Sequence, residues 1–216
     1  MNLKIISVLV LLLILKNCIN KKENFKSNIN IPAYFINLDR QIDRKEYMNK
    51  QFKKNNLNVT RYSAFDKKLL DENKLLEFQR NKTIESAFAV QKQRKEGSIA
   101  CLLSHLYLWQ QIQQEQKSDY CLIFEDDCKI LPNFNQKLKE AIDNAPQDWD
   151  MLWLGYNKIK GEKVSSHYYK PFKGYHWGYN SQHHCYLVKR AAVSKLENIL
   201  LPVKKNFNTK DTILRI

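Results

Sequence analysis

The apolar positions of the chain follow two alternating periods, which predict strands and helices in turn. Short apolar runs predict strands at 31–38, 59–65, 120–124, 150–154 and 185–188. Apolar residues at helical spacing predict helices at 41–55, 98–115, 134–144 and 190–200. Strands that alternate with helices favour a mostly parallel sheet with helices on both faces, so we predict one α/β domain.

The N-terminus has the pattern of a targeting segment. Lys4 precedes an apolar run at residues 5–15. As a helix this run spans about 17 Å, short of the roughly 30 Å hydrocarbon core of a bilayer, which suits a signal peptide. No small-x-small cleavage site follows, so an uncleaved signal anchor stays open. We predict a signal peptide or anchor over 1–20 and a stem over 21–30. The domain at 31–216 is then expected in the secretory lumen, membrane-anchored or, after cleavage, secreted.

The net charge of +14 raises the question of a nucleic-acid partner. Residues 1–28 contribute +4 of it, because they hold five Lys and one Glu. Only seven of the 36 basic residues are Arg, and the basic residues are scattered along the chain. A solvated Lys-rich surface is the simpler interpretation. We therefore expect no nucleic-acid partner.

Three consecutive carboxylates follow the apolar strand at 120–124. Glu125, Asp126 and Asp127 would lie at the carboxyl end of this strand, where ligands bind in parallel sheets. Like charges held together repel unless a cation pairs with them. Oxygen ligands favour Mg²⁺ or Mn²⁺ over zinc. The alternative, which this pattern leaves open, is a set of solvated acids that caps the next helix.

Five stretches together resemble one family. They lie at 35–40 (FINLDR), 97–105 (GSIACLLSH), 122–127 (LIFEDD), 148–155 (DWDMLWLG) and 185–192 (CYLVKRAA). In this order they resemble glycosyltransferase family 25, the lipooligosaccharide-biosynthesis and procollagen galactosyltransferase group. The chain departs from the family at Ser98, in a segment that usually continues with an acidic residue and Gly. It also ends soon after the last predicted helix, which leaves a truncated or inactive catalytic domain open.

The resemblance implies a GT-A type fold, with a Rossmann-like, mostly parallel sheet flanked by helices. It implies transfer of a hexose, most often galactose, from a UDP-sugar to a hydroxyl of a glycan, glycoprotein or hydroxylysine acceptor. A divalent metal, Mn²⁺ or Mg²⁺, at Glu125, Asp126 and Asp127 would stabilise the departing diphosphate. A carboxylate that deprotonates the acceptor gives inversion. For this base we nominate Asp211, which resembles the late acidic position of the family, or Asp150.

Further polar residues are candidates for holding the donor nucleotide. Asn37, Asp39, Arg40 and Arg44 would follow the first strand at its carboxyl end, where they suit a base, ribose or phosphate. The alternative is that Asp39, Arg40, Asp43 and Arg44 pair with one another at a helix start. Ser104 and His105 gain a donor-site role from the resemblance, although a helical histidine among apolar residues is more often a core residue. An aromatic loop at 168–179 could stack on acceptor sugars or pack as a lid.

Two other classes of protein compete with a transferase. A metal-dependent nuclease, or a nucleic-acid binder, would use clustered carboxylates or positive charge. A catalytically inactive member of the family would bind carbohydrate through the aromatic loop without turnover. The predicted partners of the transferase are a nucleotide-sugar donor and a glycan or glycoprotein acceptor. Its N-terminal segment would contact the membrane if it is not cleaved.

Overall fold

The five predicted strands form one sheet, in a computed structural model that describes residues 31–84, 96–155, 161–171 and 184–202. The strands are β1 (Ala33–Asn37), β2 (Thr60–Ser63), β3 (Tyr120–Glu125), β4 (Met151–Trp153) and β7 (Cys185–Lys189). Their order in the sheet is β2-β1-β3-β7-β4. Strand β1 runs parallel to β2 and β3, whereas β7 runs antiparallel to β3 and β4. The predicted α/β fold is confirmed, with one reversed strand.

Five α-helices accompany the sheet in the described part of the chain. They are α1 (Ile42–Lys54), α2 (Glu72–Arg80), α3 (Glu96–Glu115), α4 (Phe134–Asp143) and α5 (Val193–Leu200). Short strands β5 (Gly161–Lys163) and β6 (Tyr169–Pro171) form a separate antiparallel hairpin, which the sequence pattern did not predict. None of the described helices is long and apolar enough to cross a membrane. The predicted targeting segment and Asp211 lie outside the described residues.

The two faces of the sheet bury separate apolar clusters because successive strand side chains point to opposite sides. Ile123 of β3 packs among residues of α3 and α5, which include Trp109 and Leu196. Its neighbour Phe124 packs on the other face, where Phe52 of α1 and Leu138 of α4 lie. The helices thus cover both faces, as predicted, and hold the polar carboxyl edge of the sheet between them.

A hydrogen-bonded pair fastens the C-terminal end of α3 to β1. The Tyr34 hydroxyl donates to the carboxylate of Glu115. This carboxylate also accepts from Gln111 and pairs with Lys117. The hydrogen bonds from Tyr34 and Gln111, together with Lys117, lower the pKa of Glu115 to about 2. The charged form of Glu115 is therefore favoured in the folded protein.

Tyr34→Phe is expected to lower the free energy of unfolding at pH 7 by about 2 kcal/mol, because the variant loses a hydrogen bond to a charged group. Because folding lowers the pKa of Glu115, its charged form stabilises the fold fully at pH values above 4.5, the pKa of the unfolded chain. This stabilisation decreases as the pH falls from 4.5 towards 2. Urea unfolding at pH 7 and pH 3 measures the effect. The difference between the two proteins should shrink at pH 3, and an equal difference at both pH values would contradict the assignment.

Candidate active site

Three strands bring polar residues together at one edge of the sheet. In the parallel pair β1 and β3, Ile36 lies opposite Glu125, so both strands end at this edge. Strand β7 begins here because Cys185 lies opposite Phe124. The Glu125 amide donates to the His184 carbonyl oxygen over 2.9 Å, one residue beyond this pairing. The acidic triplet therefore lies at the carboxyl edge, beside the start of the reversed strand.

Asp126 is tied into the protein by both of its carboxylate oxygens. Its Oδ2 accepts from Asn37 Nδ2 over 2.8 Å, and its Oδ1 accepts from Arg44 Nη1 over 2.8 Å. Asn37 is 1% exposed, and its amide also donates to the Gln41 carbonyl and accepts from Arg61 Nε. The amide of Asn37 thus links the ends of β1, β2 and β3.

Glu125 and Asp127 face a second histidine that the sequence patterns did not predict. His184 Nδ1 lies 2.8 Å from Asp127 Oδ1 and 3.7 Å from Glu125 Oε2. One ligand atom from each of these three residues lies within 4.8 Å of the others. The mixed set of two carboxylates and one imidazole has the composition of a divalent metal site. Asp127 is 47% exposed, so the set is open to solvent.

His105 lies in a buried hydrogen-bond chain that ends on Glu125. Trp109 Nε1 donates to the Tyr186 hydroxyl over 2.9 Å, and this hydroxyl lies 2.7 Å from His105 Nδ1. Burial raises the pKa of Tyr186, so its hydroxyl keeps the proton. Burial alone lowers the pKa of His105, but the contacts with Tyr186, Cys101 and Glu125 raise it well above its usual value.

The tautomer of His105 follows from this chain. When the ring is neutral, Nδ1 accepts from Tyr186, so Nε2 carries the proton. When the ring is charged, both nitrogens carry one. In either state Nε2–H faces Glu125 Oε1, which is 3.3 Å away. His105, which the sequence assigned to donor binding, therefore holds one oxygen of Glu125 in place.

Tyr186→Phe is expected to lower the free energy of unfolding by about 2 to 3 kcal/mol, because it leaves buried polar atoms of Trp109 and His105 without their shared partner. Urea unfolding at pH 7 measures the effect. Tyr120→Phe is the control, since it removes a hydroxyl from a partly exposed ring on the same sheet. A loss of similar size in both variants would show that the hydrogen bonds of Tyr186 contribute no more to stability than the hydroxyl of Tyr120 does.

A cavity of about 310 Å³ lies on the α3 side of the triplet, and we call it the α3-side cavity. Arg40, Arg44 and Lys67 supply positive charge to its wall. Small residues of α3, among them Ala100 and Ser104, form another wall. The Ser104 hydroxyl accepts from the Phe65 amide over 2.8 Å and donates to the Ala100 carbonyl. Ser104 therefore fastens the loop after β2 to α3.

A larger cavity of about 560 Å³, the α4-side cavity, lies across the triplet. Apolar and aromatic side chains such as Leu131, Phe134 and Tyr168 dominate its wall. His184 lines it as well, and Asp127 lines both cavities. The carboxylate of Asp127 thus lies between a cavity whose wall carries cationic side chains opposite the triplet and a mainly apolar cavity.

Arg40 and Asp39, which were also predicted to bind the donor, lie in different environments. Arg40 lines the α3-side cavity and pairs with Asp66. Asp39 instead lies on the surface, where hydrogen bonds from Arg61 and Ser63 lower its pKa. The alternative in which the charged residues after β1 pair with one another is not what the structure shows, because the partners of Asp39, Arg40 and Arg44 lie on other parts of the chain.

Of the two nominated bases, the structure describes Asp150, and this residue lies away from the triplet. Asp150 precedes β4, which runs in the same direction as β3, so it lies at the opposite edge of the sheet. It pairs there with Lys195. Asp211 lies outside the described residues, as does the part of the aromatic loop beyond residue 171. The described residues therefore give no geometric support to Asp150 as the base.

Comparison with known protein families identifies the family to which the chain belongs. A family model described as glycosyltransferase family 25 (LPS biosynthesis protein) matches residues 30–212. The chain belongs to glycosyltransferase family 25. The match spans all five stretches on which the resemblance rests, and it confirms the predicted family. The triplet and both cavities lie within the matched part of this family 25 chain.

Three relatives illustrate the range of family 25. A "Glycosyltransferase 25 family member" of Aedes aegypti is 27% identical over 66% of this chain and 25% of its own length. Human "Procollagen galactosyltransferase 2" is 26% identical over 59% of this chain and 21% of its own. Human "Inactive glycosyltransferase 25 family member 3" is 29% identical over 32% and 12%. The matched regions thus span a quarter or less of these curated relatives.

Proposed function

We propose that this chain transfers a hexose, galactose first among the candidates, from a UDP-sugar to a hydroxyl of a glycan or glycoprotein, with inversion and a divalent metal. The observation that carries the proposal is the acidic triplet of a family 25 chain, which lies between a cavity lined by three cationic side chains and a mainly apolar cavity. Galactose is proposed because one relative is named a procollagen galactosyltransferase.

The α3-side cavity suits the nucleotide diphosphate of the donor. Arg40, Arg44 and Lys67 offer positive charge to the phosphates. The adjacent carboxylates of the triplet would repel a diphosphate unless a cation lay between them. Their oxygen donors fit Mn²⁺ or Mg²⁺, which would act as a Lewis acid on the departing diphosphate. The residues of the chain thus bind and orient the donor from two sides.

The α4-side cavity suits the acceptor. Phe134 and Tyr168 offer aromatic faces on which the apolar side of a sugar ring can pack. Lys137 and Glu140 add polar groups at the wall. An acceptor bound there would direct its hydroxyl past Asp127, the residue common to both cavities. A donor and an acceptor bound in these two cavities would approach the reacting centre from opposite sides, as a single displacement requires.

A panel of nucleotide sugars tests the proposal on the full chain. UDP-galactose with Mn²⁺ is expected to give the fastest release of UDP, and added acceptor glycans or hydroxylysine peptides are expected to increase it. EDTA should abolish the release. No turnover with any donor by a protein with a cooperative unfolding transition would overturn the proposal.

A second candidate is an inactive member that binds carbohydrate, and one relative with an inactive name favours it. Glycan binding on an array separates the two functions. A transferase binds donor and turns it over, whereas an inactive binder retains glycan binding in Asp127→Ala and releases no UDP from any donor.

A further inference from the structure

We propose that His184 is a nitrogen ligand of the divalent metal, together with Glu125 and Asp127, and that Asp126 is not a ligand. The inference rests on the metal in the proposed function but not on the identity of the sugar or acceptor. It replaces one member of the triplet that the sequence assigned to the metal. It also adds a residue that lies 57 positions away from Asp127.

Asp126 is occupied by the protein itself. Each of its oxygens accepts a hydrogen bond of 2.8 Å, one from Asn37 and one from Arg44. Its side chain is only 13% exposed, compared with 47% for Asp127. Turning Asp126 towards an ion would leave one of the two N–H donors of the buried Asn37 amide without an acceptor, because only the other donates to the Gln41 carbonyl, and this loss is costly. Asp126 is therefore an anchor that holds the ends of β1 and β3 together.

Glu125 is oriented so that one oxygen is directed towards His184. The Nε2–H of His105 faces Oε1, whereas Oε2 lies 3.7 Å from His184 Nδ1. Because Nε2 of His105 carries a proton in both of its charge states, this ring supports the carboxylate and does not compete for the ion. The His105 contact is the outer-shell support that metal-binding carboxylates generally have.

Two of the three distances between the ligand atoms are close to those around a single ion, and the third is at most 4.8 Å. Neighbouring ligands of an octahedral ion with bonds of about 2.1 Å lie about 3.0 Å apart, and opposite ligands about 4.2 Å apart. His184 Nδ1 lies 2.8 Å from Asp127 Oδ1 and 3.7 Å from Glu125 Oε2, between or close to these limits. The Glu125 amide also fixes the His184 backbone through its hydrogen bond of 2.9 Å. The imidazole is thus placed beside the carboxylates by the register of β7.

An imidazole ligand changes which ions the site prefers. Mg²⁺ binds best to oxygen ligands, whereas first-row transition ions also accept nitrogen. The ligand set of Glu125, Asp127 and His184 therefore favours Mn²⁺ over Mg²⁺. The His184→Asp variant has only oxygen ligands. We expect its Mg²⁺ dissociation constant, divided by its Mn²⁺ dissociation constant, to be at least threefold lower than in the native protein.

Electron spin-echo spectroscopy of the full chain with Mn²⁺ alone tests the assignment. The native protein is expected to show a nitrogen coupling to Mn²⁺. The His184→Gln variant should lack this coupling, and its dissociation constant for Mn²⁺ should be about tenfold higher or more. Asp126→Asn should retain the coupling and change the dissociation constant less than threefold. His167→Gln is the matched control, because this imidazole also lines the α4-side cavity but lies outside the ligand set.

Three outcomes overturn the inference. The first is Mn²⁺ binding without nitrogen coupling, and the second is a coupling that survives in His184→Gln. Among the described residues, the second outcome would point to the other group of possible ligands, Cys101, His105 and Glu125. The third is no Mn²⁺ binding. If His184→Gln fails to unfold cooperatively, His184→Asp provides the same test, since it also lacks the imidazole nitrogen. No donor is present, so failure of sugar transfer is detected separately in the nucleotide-sugar assay.

Discussion

Asp127→Asn is expected to lower the rate of metal-dependent sugar transfer about 1000-fold, which corresponds to roughly 4 kcal/mol of transition-state stabilisation. Asp127 is half-exposed, it lines both cavities, and its Oδ1 contacts His184. The substitution removes a negative ligand from the proposed metal site but keeps the size of the side chain. We expect the folded structure to persist, because the side chain of Asp127 is not packed in the core.

Initial rates of UDP release, measured with saturating donor and Mn²⁺, check this prediction. Asp143→Asn is the matched control, since Asp143 is an exposed acid that pairs with Lys139 on α4 and lines neither cavity. The control should keep its full rate, and both variants should unfold at nearly the native urea concentration. A rate for Asp127→Asn within tenfold of the native rate would show that this carboxylate does not hold the metal.

The period of the apolar residues was sufficient to predict the strands of the sheet, but not their directions. A buried strand such as β7 has the same continuous apolar pattern whether its neighbours run parallel or antiparallel to it. Its direction is determined by how the chain returns to β3, through residues 156–184, and this segment has no apolar pattern. The hairpin of β5 and β6 was missed for the same reason, because residues such as Glu162 and Lys163 are polar and exposed.

The site was predictable where it depends on local sequence, and not where it depends on register. Three acids after an apolar strand identify the carboxyl edge of β3 directly. His184 is a single histidine in a polar segment, and only the antiparallel pairing of Phe124 with Cys185 places it beside Glu125. Likewise, nothing local distinguishes Asp126, an anchor, from Asp127, which is open to solvent. That difference arises from Asn37, 89 positions away from Asp126.

Asn37→Asp is expected to lower the free energy of unfolding by roughly 3 to 4 kcal/mol, because it creates two buried like charges and removes two donors. The new carboxylate would lie at the position of Nδ2, 2.8 Å from Asp126 Oδ2, and it would lose the hydrogen bond to the Gln41 carbonyl. Arg61 can still donate to the new carboxylate, so the expected loss arises from the side that faces Asp126. Urea unfolding at pH 7 measures it.

The double variant Asn37→Asp with Asp126→Asn separates charge repulsion from lost packing. The exchange restores one amide and one carboxylate at the same contact, with the donor now on the other residue. We expect it to recover at least half of the stability lost in Asn37→Asp, which a double-mutant cycle with both single variants measures. Because Asp126 is an anchor and not a ligand, the double variant should also bind Mn²⁺ with the nitrogen coupling of His184. Recovery of stability with loss of this coupling would instead show that the anchor and the metal site cannot be separated.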